Sequence, residues 1–210
     1  MRCAALWLLR SGSGSQRLLH SMSIDAKEAE RVRLRSDLLY TAAEINAVYD
    51  RMAAEIQLQL GQSRPIVLAV LTGGLIPAGQ LLPRLDFLLE LDYLHATRYR
   101  GETRGAGLHW ITRPSLPLAG RTLLIVDDIL DEGLTLAAIQ AYCREQGAEK
   151  VYTAVLVEKR LAQRPVEVQA EFVGVEVDNR YVFGCGMDYH GFHRNLPGIH
   201  AVTDPALKAR

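Results

Sequence analysis

Few cysteines, no net charge and no membrane-length apolar run are what the chain first presents, and each absence weighs against a class of protein. The three thiols, Cys3, Cys143 and Cys185, are odd in number and widely spaced. That spacing suits reduced thiols in a cytoplasmic protein better than a disulfide framework or the clustered ligands of a zinc site. Lysine plus arginine equals aspartate plus glutamate at 24 each, so no global field marks a nucleic-acid or membrane partner. The apolar patch Cys3 to Leu9 is far shorter than the roughly 20 residues that span a bilayer. What remains is 210 residues, enough for one domain with a substantial core.

The first 24 residues stand apart. They hold Arg2, Arg10 and Arg17 among serines and glycines, with no acidic residue before Asp25. This composition is expected of a flexible N-terminal extension, with an organelle transit peptide or a start at Met22 as the alternatives. The folded domain is expected over 25–210.

Thr41 to Gly61 reads as a helix. Ile45, Val48, Tyr49, Met52 and Ile56 share one face at spacings of three and four, Thr41 with Glu44 makes a capping box, and Gly61 is a natural stop. Ile66 to Leu71 is a continuous apolar run, as a strand covered on both faces needs. Leu75 to Leu85 predicts a short helix with Pro77 in its first turn. Phe87 to Leu91 is a second apolar run, and Arg98 to Pro117 reads as a long mobile loop. Thr122 to Val126 predicts a strand, Leu134 to Gln146 a helix, and Val151 to Val157 and Phe172 to Val177 further strands. From Tyr181 the chain turns irregular and aromatic. Strands alternating with helices imply an α/β fold with a mostly parallel central sheet, whose ligands sit at the carboxyl ends of strands.

At one such end lies Val126-Asp-Asp-Ile-Leu-Asp-Glu-Gly-Leu-Thr135. Asp127 and Asp128 leave the strand with side chains on opposite sides, and Asp131 follows after two apolar residues. Gly133 lets backbone approach a ligand closely, and Thr135 adds a hydroxyl. An N-cap explains one aspartate in such a turn, not three and a glutamate. Carboxylates suit sugar hydroxyls, and helix-start N–H groups suit a phosphate, so the segment can hold a phosphorylated sugar.

This segment resembles the phosphoribosyl-pyrophosphate (PRPP) motif of type I phosphoribosyltransferases, and within them the hypoxanthine-guanine branch. The resemblance covers roughly Leu34 to Val202 and implies a core of that type with a small hood formed from N- and C-terminal segments. It implies that Asp127 and Asp128 hold the ribose hydroxyls and that Asp131, Glu132, Gly133, Leu134 and Thr135 cradle the 5′-phosphate, with Asp131 as general base at purine N7. Glu132 departs from the small residue usual there. Thr72 and Gly73, in Leu71-Thr72-Gly73-Gly74, would meet pyrophosphate together with Arg194, although the family usually has lysine at the Thr72 position. Lys159 would donate to purine O6 and Tyr181 would stack on the base. The backbones of Val182 and Asp188 would hydrogen-bond its edge. Arg98 and Tyr99 would belong to a lid. Asp127, Asp128 and Asp188 would hold Mg²⁺, the last through water.

The implied reaction moves phosphoribosyl from PRPP to N9 of hypoxanthine or guanine, giving IMP or GMP and pyrophosphate. The implied partners are PRPP and a 6-oxopurine, in a homodimer or homotetramer. A PRPP-sensing regulator is the alternative, but its nucleic-acid module would have to be Arg31-Val-Arg-Leu-Arg35, which reads more simply as a solvated strand or helix edge. A receiver-type phosphoacceptor domain leaves Gly133, Thr135 and the Tyr181 to Arg194 segment unexplained.

Overall fold

The computed structural model describes residues 25–98 and 108–203. The expected extension over 1–24 lies outside them. Asp25 caps α1 (Ala26–Leu34), accepting from the Lys27 N–H, and Arg31 and Arg33 occupy the last turn, where cations suit the helix dipole. The basic segment Arg31 to Arg35 is thus a helix end with Arg35 as its cap. After β1 (Asp37–Tyr40) comes α2 (Ala42–Leu60), opened by the Thr41/Glu44 capping box and closed at Gly61.

The strands β2 (Ile66–Leu71), β3 (Glu90–Arg98), β4 (Leu108–Thr112), β5 (Thr122–Leu130), β6 (Lys150–Arg160) and β7 (Phe172–Asp178) form one sheet in the order β4-β3-β2-β5-β6-β7. All neighbours are parallel except β3 and β4. Alternate residues of the apolar strands serve opposite faces. Val67, Ala69, Leu124, Val126, Ala154 and Leu156 pack under α2 and α3 (Leu75–Leu81). Ile66, Leu68, Val70, Leu123, Ile125 and Val155 pack under α4 (Leu134–Glu145). Burial on both faces is why these strands read as unbroken apolar runs. A second sheet, β1-β9-β8, joins β1 to β8 (Val182–Phe183) and β9 (Ile199–Ala201) over a small cluster of Ala29, Val32, Phe183, Tyr189 and Val202.

The structure corrects several boundaries. The strand at the second apolar run, β3, is 90–98, not 87–91, because its outer face is open: Leu91 and Tyr93 are exposed while Asp92, Leu94 and Ala96 are buried. A strand solvated on one side alternates and breaks the apolar run. Buried Asp92 is satisfied by the N–H groups of Tyr93, Ser115 and Leu116 at 2.7–2.8 Å. Burial pushes its carboxyl up, but these bonds outweigh burial and leave it below the usual range. Within the expected loop, 108–112 is an edge strand paired antiparallel with β3. The helix at 75 ends at Leu81 and tightens into a 3₁₀ turn, Leu82–Arg84, around Pro83. Finally, β5 runs on to Leu130 and β6 to Arg160. Asp127, Asp128 and Lys159 therefore lie inside strands rather than after them. Among the described residues no helix is long and apolar enough to cross a membrane.

Candidate active site

Chain direction places the site. From β2 the chain winds through α3 to β3 on one side, and from β5 it winds through α4 to β6 on the other. The two helices cover opposite faces, so a crevice opens between the tips of β2 and β5, where ligands of such sheets bind. The β2–β5 ladder ends at Ala69–Val126, whereas β5 stays paired with β6 as far as Leu130–Glu158. Beyond Val126 the acidic motif is held from one side only. It faces the crevice on the other.

Into this crevice the turn Thr72–Gly74 descends from β2. The Leu71–Thr72 peptide bond is cis. A Cβ on Gly73 would lie 2.0 Å from Asp128 Oδ2, and one on Gly74 would lie 2.5 Å from the Val126 carbonyl, so both glycines are required by close approach. Gly186, with φ +108°, packs against the Gly73 carbonyl and brings the closing segment onto the same turn.

Asp127 and Asp128 are side by side, and the Asp128 N–H donates to Asp127 Oδ1 at 2.9 Å. Burial first, and mutual repulsion at Asp127, push this pair above the usual carboxylate range. Arg194 offsets part of that from 3.7 Å. Its guanidinium also donates to the Gly186 carbonyl and pairs with Asp188 Oδ1, both at 2.6 Å, while Asp188 Oδ2 accepts from the Gly191 N–H. At the helix start Gly133 has φ +81° and no side chain caps α4, so its first N–H groups are available to an anion. Lys159 Nζ donates to Asp131 Oδ2 at 2.6 Å.

Two adjoining cavities result. The larger, about 510 Å³, is lined by Thr72, Gly73, Asp127, Asp128, Asp131 to Thr135, Asp188 and Arg194, with His95 of β3. The smaller, about 240 Å³, is lined by Asp128, Ile129, Asp131, Lys159, Tyr181, Val182, Met187 and Asp188. Thr72, Gly73, Asp127, Asp128, Asp131 to Thr135, Lys159, Tyr181, Val182, Asp188 and Arg194, all singled out from sequence, line one or the other. Arg98 ends β3, and Tyr99 lies outside the described residues. Glu132 is exposed at the rim of the larger cavity, and Tyr181 lies parallel to His190 at 6.1 Å between ring centroids.

Sequence reading missed His95 and Arg164. His95 pairs in register with Leu71 beside the Thr72 turn, which only the sheet topology reveals. Arg164 lies in the loop after β6 and reaches back to the motif.

The carboxylate pair fits a divalent cation: Asp128 is buried, Asp127 is half-buried, and the two mutually repelling acids open onto a polar cavity. Asp188 does not complete a three-ligand set with them, since both its oxygens are engaged, and no cluster of three metal-ligating side chains occurs among the described residues. That arrangement suits Mg²⁺, which is commonly held by one or two carboxylates and completes its shell with substrate phosphates and water.

A crevice with a free helix start, paired acids and an adjoining aromatic pocket defines an α/β protein that handles a sugar phosphate beside a flat base. The phosphoribosyl transferase domain family matches residues 36–190. A hypoxanthine-guanine-xanthine phosphoribosyltransferase of Tritrichomonas foetus is 32% identical over 80% of this chain and 91% of its own. The hypoxanthine-guanine enzyme of Bacillus subtilis is 32% identical over 81% and 94%. A solved hypoxanthine-guanine-xanthine phosphoribosyltransferase superposes with a TM-score of 0.73 at 28% identity, covering 80% of this chain and 97% of its own. The chain belongs to the phosphoribosyltransferases, in the hypoxanthine-guanine branch.

Proposed function

We propose that the chain moves the phosphoribosyl group from PRPP to N9 of hypoxanthine or guanine, giving IMP or GMP and pyrophosphate in purine salvage. The observation that carries this reading is the Asp131–Lys159 pair at 2.6 Å, at the junction of the two cavities. A 6-oxopurine protonated at N7 presents a donor and, beside it, the O6 acceptor. A carboxylate next to an ammonium is the complement of that edge. Adenine would set an amino group against Lys159 and lose the match.

The rest of the machinery follows from charge. As the bond from C1′ to pyrophosphate breaks, the sugar becomes cationic and the leaving group gains negative charge. Arg194 meets the pyrophosphate with a planar fork, and the turn at Thr72 and Gly73 supplies backbone amides. Thr72 brings a hydroxyl where the family has a lysine, so that contact carries no charge. Asp127 and Asp128 orient the ribose hydroxyls, and the start of α4 from Gly133 to Thr135 holds the 5′-phosphate. Asp127 and Asp128, with Asp188 through water, would hold Mg²⁺, and the ion would supply charge neutralisation at the phosphates. Asp131 takes the N7 proton and enriches N9 for attack. Tyr181 stacks on the base, while the backbones of Val182 and Asp188 hydrogen-bond its edge.

Water would capture the sugar cation, so a lid opening at Arg98 and Tyr99 is assigned to exclude it. The three-stranded sheet, with Val182 at the base pocket, is read as the hood, and a cytoplasmic setting agrees with buried free Cys143 and Cys185. A homodimer or homotetramer would cover the exposed Leu75, Leu91 and Tyr93 around a third, apolar cavity.

The test is Asp131→Asn, assayed by initial rates with PRPP, Mg²⁺ and each purine. Turnover should fall by an amount near the roughly 3 kcal/mol typical of a preorganised catalytic contact, while nucleotide binding persists. Near-native turnover in that variant defeats the base assignment.

A further inference from the structure

The β5–β6 ladder ends at Leu130–Glu158, one residue short of the two groups that matter for the base. Asp131 and Lys159 therefore lie just past the last rung of that ladder: Lys159 is still paired with Val177 of β7, but Asp131 has left its strand, so β5–β6 pairing does not fix their separation. Arg164 fills this gap. Its Nε donates to the Asp131 carbonyl at 2.9 Å, its Nη2 to the Lys159 carbonyl at 3.0 Å, and its Nη1 to Glu158 Oε1 at 2.9 Å. All three nitrogens of one guanidinium are engaged, two of them on the backbones of the acid and the lysine. The stem is engaged too. Arg164 Cδ lies 3.3 Å from where a Cβ on Gly133 would stand, beside Val168.

We infer that Arg164, oriented by Glu158, is a positioning residue that sets the spacing of Asp131 and Lys159 and so the register of the purine edge. It touches no proposed reacting atom and does not line either cavity of the site. A guanidinium is suited to this because its donors lie in one rigid plane, able to hold two carbonyls and a carboxylate at once. An ammonium offers a single point. The inference rests on the transfer reaction proposed above.

The experiment compares wild type, Arg164→Gln, Arg164→Lys, Asp131→Asn and the Arg164→Gln/Asp131→Asn double variant at 25 °C. Initial rates are taken with PRPP, Mg²⁺ and hypoxanthine, and thermal melts are recorded in parallel. Loss of the clamp should lower kcat by about 100-fold, the cost typical of a misplacement near 1 Å, with little change in KM for PRPP and the melt still well above assay temperature. Arg164→Lys should resemble Arg164→Gln, since it lacks the planar fork. Should the glutamine variant fail to fold, the lysine variant, which keeps the stem over Gly133, carries the same comparison. The double variant should be no slower than Asp131→Asn alone, because a positioning effect has nothing left to position. A wild-type rate in either Arg164 variant, additive losses in the double variant, or loss of rate only in step with melting overturns the clamp while leaving the transfer reaction standing. An inactive wild-type enzyme overturns both.

Discussion

A methyl group on Gly73 would stand 2.0 Å from Asp128 Oδ2 and 2.4 Å from its Cγ. Ordinary contact begins at 3.4 Å, so the carboxylate must retreat by about 1.4 Å. Gly73 does not have a positive φ, so alanine meets no backbone strain there and the clash is isolated. Room for retreat is scarce. Gly186 lies against the Asp128 Cβ, and Arg194 stands 3.7 Å from the carboxylate. Displacing a substrate-positioning group by more than 1 Å typically costs about 100-fold, and Gly73→Ala is expected to lose that much in kcat/KM for PRPP. The assay is pyrophosphate release over a PRPP concentration series, with circular dichroism melts to show that the fold survives. A folded Gly73→Ala enzyme with wild-type kcat/KM for PRPP would refute the claim that turn and strand tip jointly hold the substrate.

Two further outcomes are expected outside the site. Among the described residues, the Tyr49 hydroxyl is the one buried side-chain polar atom without a hydrogen-bond partner. Tyr49→Phe should therefore leave stability unchanged or raise it by about 1 kcal/mol, read from urea unfolding midpoints, and a clear loss would reveal a partner for that hydroxyl. Burial pushes the thiols of Cys143 and Cys185 up to about 11, so at pH 8 both remain protonated and slow to react with a disulfide reagent. Titration of native and guanidinium-unfolded protein should differ by these two thiols, and prompt labelling of both in the native state would contradict their burial.

Legibility in the sequence followed the range of the interactions. α2 was readable because its capping box and apolar stripe are local, and β2 and β5 because burial on both faces leaves an unbroken run. β4 escaped because Leu108 to Thr112 is an edge strand, and only its antiparallel pairing with β3 identifies it. β1, β8 and β9 escaped because a strand near residue 40 pairs with one near residue 200, and neither alone carries a pattern. The acidic motif announced itself by composition. Asp131 and Lys159 were each visible, but their contact needed the register of two parallel strands. Arg164 acts largely on backbone carbonyls, which no side-chain motif records.

The opposite winding of the sheet's two halves has a practical consequence. On the reaction proposed above, the turn that meets the leaving group belongs to the β2–α3–β3 half, while the residues assigned to the sugar and much of those assigned to the base belong to the β5–α4–β6 half and the strands beyond it. Retuning the recognised nucleobase therefore means altering residues such as Lys159, Tyr181 and Val182 while the leaving-group turn keeps its own helix and strand neighbours. Asp128 and Asp188, which line both cavities, would be the points where a change on one side is felt on the other.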